Sequence, residues 1–136
     1  MIDHAALVIR NNNKILFIKR SEQKTTLPNI WSFPSGTKEE TEDIKETVKR
    51  EAYEELGVNV EVEDTLAIKE LPEFGVRLHF ITCNIPSGEP TIKEPKEISK
   101  IDWLTFNEFF DKFEDNQIGH GLIFLRQNPH IWKNFA

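Results

Sequence analysis

Three glutamates in a short helical segment are the residues best suited to chemistry. On a helical wheel, Glu51, Glu54 and Glu55 fall within an arc of roughly 100°. Glu51 and Glu55 are a like-charge pair four residues apart, which destabilises a helix by a few tenths of a kcal/mol (about 0.2–0.5). Glu54 and Glu55 also precede Gly57, so they lie in the last turn, where the helix dipole disfavours anions. Carboxylates held together against both penalties indicate a hard cation, with Mg²⁺ the first candidate.

These glutamates belong to a longer pattern between Gly36 and Val58. It reads G-x5-E-x7-R-E-U-x-E-E-x-G-U, where U is apolar, and every specified position is filled. With ordinary residue usage, such a set of fixed residues would match by chance about once in 10⁸ start positions. The pattern is that of the Nudix box, so the chain resembles the Nudix hydrolase family. The resemblance covers at least residues 3–104, and Ala52 at the first apolar position is smaller than the usual Ile, Leu or Val.

The resemblance implies hydrolysis of a nucleoside diphosphate linked to another group, with water attacking one phosphorus of a pyrophosphate. Divalent cations would screen the phosphate charge and lower the pKa of that water. By position in the box, Glu54 and Glu55 are the expected direct ligands of Mg²⁺, with Mn²⁺ as its substitute. Glu51 is either a further ligand or the group that orients water. The backbone carbonyl of Ser35 is another candidate ligand, at a place where the family usually has glycine.

The resemblance also implies roles for residues around the three glutamates. Arg50 is expected to hold a neighbouring glutamate by a bidentate pair, which would lower the pKa of that glutamate. Glu97, six residues before Trp103, is the leading late-loop candidate for catalytic base or extra ligand, and Glu94 is the second. The predicted catalytic set is therefore Arg50, Glu51, Glu54 and Glu97. Gly36, Glu42 and Gly57 are expected to be structural residues of the box, and for Glu42 a salt bridge is as plausible as chemistry.

Three residues outside the box are predicted to bind substrate. Arg20, at the end of a strand, is a candidate contact for a phosphate, with a solvated charge as the alternative. Trp31 and Phe74 are candidates for stacking on a base, as is Trp103, with a place in the core or at its rim as the alternative. The histidines His4, His79, His120 and His130 show no metal-ligand spacing and are expected to be structural or exposed.

The box helix has clear start and stop residues. Asp43 with Glu46 predicts a capping box, and Gly57 predicts a left-handed residue after the last turn. Apolar residues recur every four positions along the helix and predict the side that packs on a sheet: Ile44, Val48, Ala52 and Leu56. The acidic arc borders this apolar side, which places the carboxylates at the edge of the helix–sheet contact.

Strand patterns surround the helix. Strands are predicted at residues 5–9, 15–18, 31–33, 58–66, 76–83 and 98–104, with a turn at 34–36 and a possible extension of the fourth strand through 71. Helices are predicted from Thr105 to Phe113 and from Gly119 or Gly121 to Gln127. The order predicts a mixed-sheet α+β or α/β protein. The family resemblance sharpens this to an α/β/α sandwich that carries the box as loop–helix–loop.

The bulk properties restrict the class of protein. The chain of 136 residues is expected to form one domain over residues 1–136, and its net charge of −6 argues against a nucleic acid polymer as partner. No apolar run reaches the length of a membrane span and no signal pattern is present. The lone Cys83, in an apolar run, is expected to be a buried structural thiol. These features predict a cytoplasmic protein without membrane association, as a monomer or homodimer.

Three functions remain open at this level. The favoured one is a MutT-like pyrophosphohydrolase that converts a nucleoside triphosphate, oxidised or otherwise non-standard, to monophosphate and pyrophosphate. The second keeps this chemistry with ADP-ribose, a dinucleoside polyphosphate or a nucleotide sugar as substrate. The third, from another class, is a non-catalytic nucleotide-sensing Nudix module, which would be expected to have lost carboxylates that this box retains. Selectivity is expected to lie in residues 21–30, 70–76 and 105–125.

Overall fold

The protein is built on a mixed sheet with helices on both faces. A computed structural model describes residues 1–135. Its elements are β1 Ile2–Asn11, β2 Lys14–Arg20, β3 Trp31–Ser32, β4 Ser35–Thr37, α1 Ile44–Leu56, β5 Glu61–Leu71, β6 Val76–Asn84, β7 Ile98–Leu104, α2 Phe106–Lys112 and α3 His120–Gln127. The main strand order is β3-β2-β1-β6-β5, with β4 paired to β1 and β7 to β2. β1 runs parallel to β6, and the other pairs are antiparallel.

The central strand β1 shows why the protein forms a sandwich. Its residues 5–9 are all buried, as expected for a strand covered on both faces. Ala6 and Val8 pack in the cluster that includes residues of α2 and α3, whereas Leu7 and Ile9 pack in the cluster that includes α1. The predicted α/β/α sandwich with a mixed sheet is therefore confirmed.

The box helix α1 begins and ends where the sequence predicts. The Asp43 side chain accepts a hydrogen bond from the Glu46 backbone N–H at 2.8 Å, and the Asp43 backbone N–H donates to Glu46 Oε1 at 2.9 Å. Such a cap stabilises a helix by about 1 kcal/mol. At the other end, Gly57 has φ +68° and donates to the Tyr53 carbonyl. The apolar residues Val48, Ala52 and Leu56 are fully buried against the sheet.

Aromatic rings fill the opposite face of the sheet. Phe17 of β2 stacks on Phe109 of α2, with ring centroids 4.0 Å apart. Trp31 stacks on Phe113 at 5.1 Å and is only 9% exposed. Because its faces are occupied by the core, the structure argues against the predicted stacking of Trp31 on a base. The alternative, a core position, describes it correctly.

Two local predictions were wrong. Residues 35–37 form the short strand β4, paired with His4–Ala6 of β1, where a turn was predicted over 34–36. Three residues are too few to show a strand pattern, and the pairing comes from a distant part of the chain. The strand predicted from residue 58 starts at Glu61, because Val58 and Val60 are buried in the α1 cluster outside the sheet.

No helix among residues 1–135 has the length and apolarity needed to cross a membrane.

Candidate active site

Arg50 lies at the centre of the box carboxylates. Its Nε and Nη2 donate to the two oxygens of Glu42 at 3.1 and 2.7 Å, which is a bidentate pair. Its Nη1 donates to Glu51 Oε1 at 2.8 Å and lies 3.5 Å from Glu54 Oε2. Nη2 also donates to the Thr37 carbonyl. All three nitrogens are thus engaged with protein acceptors, which makes Arg50 a residue that positions the glutamates.

Glu42 sits in a structural network at the start of the box helix. Besides Arg50, it accepts hydrogen bonds from the Thr47 hydroxyl at 2.8 Å and the Glu39 backbone N–H at 2.9 Å. The hydrogen bonds from Arg50 are the main reason that the pKa of Glu42 falls to about 2. The structure therefore favours the salt-bridge role for Glu42 over a chemical one.

Glu51 occupies the space that a side chain on Gly36 would need. A Cβ built on Gly36 would lie 2.1 Å from the Glu51 carboxyl group, well inside van der Waals contact. Burial raises the pKa of Glu51, while Arg50 and the neighbouring Glu55 act against this rise. Gly36 thus lets the Glu51 carboxylate reach the edge of β4 beside Ser35.

Glu55 is the buried carboxyl group of the site. It is 9% exposed, and its Oε2 has no hydrogen-bond partner among the described residues. Burial is the largest cause that raises the pKa of Glu55 to about 9, followed by the charges of Glu51, Glu94 and Glu97. A carboxylate in such a place is unfavourable unless a cation or a proton neutralises it.

The late loop that carries Glu94 and Glu97 is attached to the end of α1. The backbone N–H of Lys93 donates to the Glu55 carbonyl at 3.0 Å, and that of Thr91 donates to the Leu56 carbonyl at 2.9 Å. These bonds satisfy carbonyls that a helix end leaves free. The loop is thereby held where Glu94 and Glu97 act on Glu55, which brings the predicted late-loop carboxylates to the box.

The donor set suits a hard divalent cation. Glu51, Glu54 and Glu55 offer carboxylate oxygens, and an ion would give Glu55 Oε2 the partner that it lacks among residues 1–135. In the described side-chain conformations, however, no three His, Cys, Asp or Glu groups of residues 1–135 form a ready metal-binding cluster. Glu51 is bonded to Arg50, and Glu54 is 49% exposed beside it. Arg50 contacts only Oε1 of Glu51 and only Oε2 of Glu54, so the other oxygen of each carboxylate is not bonded to Arg50.

A pocket of about 630 Å³ adjoins the box. Ser35 lines the pocket and directly precedes Gly36, which lies against Glu51. The lining also includes Arg20 and Phe74, two of the predicted substrate residues. Its floor is apolar and comes from the sheet and α3: Phe33, Leu78, Phe80 and Leu122. The combination of a carboxylate cluster and an apolar pocket is typical of a site for a small ligand.

Arg20 does not present a free guanidinium to the pocket. Its Nη2 donates to the Thr26 carbonyl at 2.7 Å and hydroxyl at 3.1 Å, and its Nε donates to the Leu27 carbonyl at 3.1 Å. These bonds hold the loop of residues 21–30, in which Leu27 and Asn29 have positive φ angles. Through Nε and Nη2, Arg20 thus shapes the pocket wall, while its predicted contact with a phosphate stays a prediction.

Three residues of the site were missed by sequence reasoning. Lys24 forms an ion pair with Glu97, Leu27 lines the pocket, and His120 stacks on Phe74 at 4.8 Å between ring centroids. The first two lie in a polar loop whose path depends on Arg20. For His120 a clue was present, because a histidine between two glycines at a helix start has an open approach on both sides.

Comparison with known proteins identifies the family. The NUDIX domain model matches residues 2–125, so the chain belongs to the Nudix hydrolase family. Nudix hydrolase 2 of Arabidopsis thaliana is 29% identical over 110 residues, which are 79% of this chain and 40% of that protein. The peroxisomal coenzyme A diphosphatase ndx-8 of Caenorhabditis elegans is 32% identical over 104 residues, 72% of this chain and 44% of that protein. The chain thus spans less than half the length of either relative.

Solved structures show the same fold. The MutT protein of Methanosarcina mazei superposes with a TM-score of 0.74 at 20% identity, covering 99% of this chain and 96% of its own. The MutT Nudix hydrolase of Burkholderia pseudomallei gives a TM-score of 0.68 at 21% identity, covering 93% and 95%. At this identity the likeness establishes the fold.

Proposed function

We propose that this protein is a Mg²⁺-dependent pyrophosphohydrolase of nucleoside diphosphates linked to another group, with a nucleoside triphosphate as favoured substrate. The observation that carries the proposal is the buried Glu55 among the box carboxylates, because its Oε2 has no hydrogen-bond partner among residues 1–135. A pocket large enough for a base includes Ser35, which precedes the Gly36 that meets Glu51. Mn²⁺ is the expected substitute for Mg²⁺, because it accepts the same oxygen ligands.

The charge of the site supports a divalent cation. Arg50 pairs with Glu42, Glu51 and Glu54, and Lys24 pairs with Glu97. Glu55 and Glu94 add two further carboxyl groups to the site. The excess of negative charge would repel a pyrophosphate. Bound Mg²⁺ would offset that charge, screen the phosphate oxygens and lower the pKa of the attacking water.

The residues of this chain then have separate roles. Glu54 and Glu55 hold the ion, with Glu51 and the Ser35 carbonyl as further ligands, while Arg50 fixes the position of Glu51. Glu97 accepts a proton from the attacking water, whose oxygen forms the new bond to phosphorus. The phosphoric anhydride bond breaks on the opposite side, and its oxygen leaves with pyrophosphate. The other product is the nucleoside monophosphate.

A second candidate keeps the chemistry and changes the leaving group. The relative from C. elegans is named as a coenzyme A diphosphatase, and an ADP-ribose pyrophosphatase of Streptococcus suis shares the fold with a TM-score of 0.64. ADP-ribose, coenzyme A, dinucleoside polyphosphates and nucleotide sugars all join a nucleoside to a diphosphate. Each could therefore place its base in the same pocket.

A hydrolysis panel with product analysis tests the proposal. The panel contains the standard nucleoside triphosphates, 8-oxo-dGTP, ADP-ribose, coenzyme A and diadenosine polyphosphates, with Mg²⁺ and with EDTA. Release of pyrophosphate from a triphosphate, dependent on Mg²⁺, would support the first candidate, and mononucleotide products from a linked diphosphate would support the second.

Two variants control this panel. Glu54→Gln should abolish most of the activity, whereas Glu114→Gln, a change of the same chemistry on the exposed surface, should leave it intact. No hydrolysis of any compound, with nucleotide binding intact, would instead support the sensor function.

A further inference from the structure

We propose that the pocket beside the box recognises the flat face of a nucleobase, through Phe74 and His120, and leaves the hydrogen-bonding edge of the base largely unread. This inference rests on the proposed function, because it assumes that the substrate carries a base. It assigns specificity to two residues and predicts broad tolerance among bases.

The floor of the pocket offers contact area without hydrogen bonds. Leu71, Val76 and Leu78 line the pocket and are only partly buried, so they leave apolar surface open to it. A sugar or a phosphate placed there would lose its hydration without compensation. The face of an aromatic ring would lose little hydration there, so the base is the part of a nucleotide that fits.

The polar side chains of the lining are mostly engaged elsewhere. The Ser32 hydroxyl donates to the Phe33 carbonyl, His4 Nε2 lies 3.1 Å from the Thr37 hydroxyl, and Arg20 is bound to its own loop. A site that reads the edge of a base needs donors and acceptors directed at it. The described side chains of the lining offer few, so we expect the edge of the base to contribute little to selection.

Phe74 lies at the rim of the pocket, where its apolar ring is unfavourably exposed to water. It is 54% exposed and ends a short 3₁₀ turn, Pro72–Phe74, which closes on Gly75 in the left-handed conformation. Its ring lies 4.8 Å from that of His120, at an angle of 39°. An exposed phenylalanine beside a second exposed ring forms a surface on which a base can stack.

Gly121 lets the start of α3, which carries His120, lie close to the sheet. A Cβ on Gly121 would lie 2.9 Å from Leu78 Cδ2 and 3.2 Å from Phe80, so a larger residue there would have to displace the Leu78 side chain. A Cβ on Gly119 would meet the Ser32 Cβ at an ordinary 3.6 Å. The close approach at Gly121 therefore sets the width of the pocket between α3 and the sheet.

The size of the preference among bases distinguishes recognition of the ring face from recognition of the hydrogen-bonding edge. Apolar pockets separate similar ligands by about 10-fold to 200-fold, whereas sites that hydrogen-bond a distinguishing group reach about 10⁴-fold to 10⁵-fold. We expect kcat/KM for ATP, GTP and inosine triphosphate to agree within about 100-fold. A preference above about 1,000-fold for one of them would overturn the proposal.

Binding without metal separates this inference from the hydrolase function. Adenosine, guanosine and inosine carry no phosphate, so NMR titration in EDTA measures base contacts alone, with ribose as the non-aromatic probe. We expect the three nucleosides to bind with similar Kd values and ribose not to bind. Equal binding of ribose, or binding of only one nucleoside, would overturn the proposal whether or not the enzyme hydrolyses nucleotides.

Variants locate the contact. Phe74→Ala and His120→Ala should each weaken all three nucleosides by a similar factor, about 5-fold to 150-fold for a stacking ring. Ile68→Ala is the matched control, because Ile68 is equally exposed at 52% on β5 and is not part of the pocket lining. If Phe74→Ala changed the preference among the bases but not their overall affinity, the assignment would be wrong.

Discussion

Arg50 holds Glu42 by two parallel hydrogen bonds, 3.1 Å from Nε and 2.7 Å from Nη2, while its third nitrogen holds Glu51. Only a guanidinium can make this pattern, because lysine offers a single nitrogen. We expect Arg50→Lys to lower kcat by about 10-fold to 100-fold, as for a misplaced catalytic group, with a smaller change in KM. Lys49→Arg, on the exposed side of the same helix, is the control and should match the wild type.

The pKa of Glu42 predicts a loss of stability in acid. Its pKa is lowered from 4.5 to about 2 in the folded protein, so its contribution is fully present above pH 4.5 and disappears as pH falls towards 2. We expect Glu42→Gln to be less stable than the wild type near neutral pH. The difference should shrink below pH 4.5 and vanish near pH 2, in denaturant unfolding measured as a function of pH. A difference that is constant with pH would contradict the ion pair.

Gly36→Ala should remove activity without unfolding the protein. The added Cβ would stand 2.1 Å from the Glu51 carboxyl group, so Glu51 must leave its position. We expect kcat to fall about 100-fold or more, because a displacement of about 1 Å can cost that much. Gly88→Ala is the control: φ there is +86°, so alanine is strained, but beyond its chain neighbours the added Cβ would have no atom of another residue within 4 Å, Glu51 included. A stability loss in both variants with an activity loss only in Gly36→Ala would confirm the steric explanation.

The stability of Glu55→Gln relative to the wild type should depend on whether metal is present. Without an ion, folding raises the pKa of Glu55 from 4.5 to about 9, so the folded state takes up a proton between these values. Stability of the wild type in EDTA should therefore fall as pH rises through this window. Glutamine is neutral at every pH, so the variant should show a flatter profile and higher stability at the alkaline end.

Added Mg²⁺ should reverse that order. We expect the wild type to gain Tm on adding Mg²⁺, since an ion that binds only the folded state stabilises it. Glu55→Gln should gain little, and Glu61→Gln at the exposed start of β5 should behave as the wild type. An equal Mg²⁺ response of Glu55→Gln and wild type would refute the assignment of Glu55 as a ligand.

Glu97 and Glu94 offer a direct comparison within one loop. Glu97 is paired with Lys24, and both glutamates are near enough to raise the pKa of Glu55. As the proposed base, Glu97→Gln should lower kcat by about 100-fold to 10,000-fold. Glu94→Gln should lower it only a few-fold, by about 2-fold to 5-fold, because its loss removes only a neighbouring charge. The reverse order in steady-state kinetics would move the role of base to Glu94.

The box helix was predictable because its determinants are local. Asp43, Glu46 and Gly57 act within a few residues of their own positions, and the structure shows each of them as expected. The strands β1 and β2 were likewise marked by continuous apolar runs. Strand β4 was missed because only its pairing with β1, thirty residues earlier in the chain, makes it a strand.

The substrate residues were harder to predict because their environment is not local. Trp31 is in the core since Phe113, the residue that follows α2, stacks on it, and Arg20 is engaged since its loop folds back over it. Sequence alone shows the type of each residue but not which distant neighbours occupy its faces. Phe74, whose predicted stacking on a base requires an accessible ring, is 54% exposed because the turn that carries it is itself local.

The attachment of the late loop to α1 has a consequence for engineering the chain. Because Thr91 and Lys93 are hydrogen-bonded to the last carbonyls of the helix, the path of the chain is fixed again before it reaches Glu94. The preceding stretch, residues 86–89, is exposed and lies upstream of that attachment. Exposed loop tips of this kind accept added sequence. A peptide tag or a small reporter domain inserted there would lengthen the chain between Glu55 and Glu97. The position of Glu97 relative to Glu55 in the folded protein should stay the same.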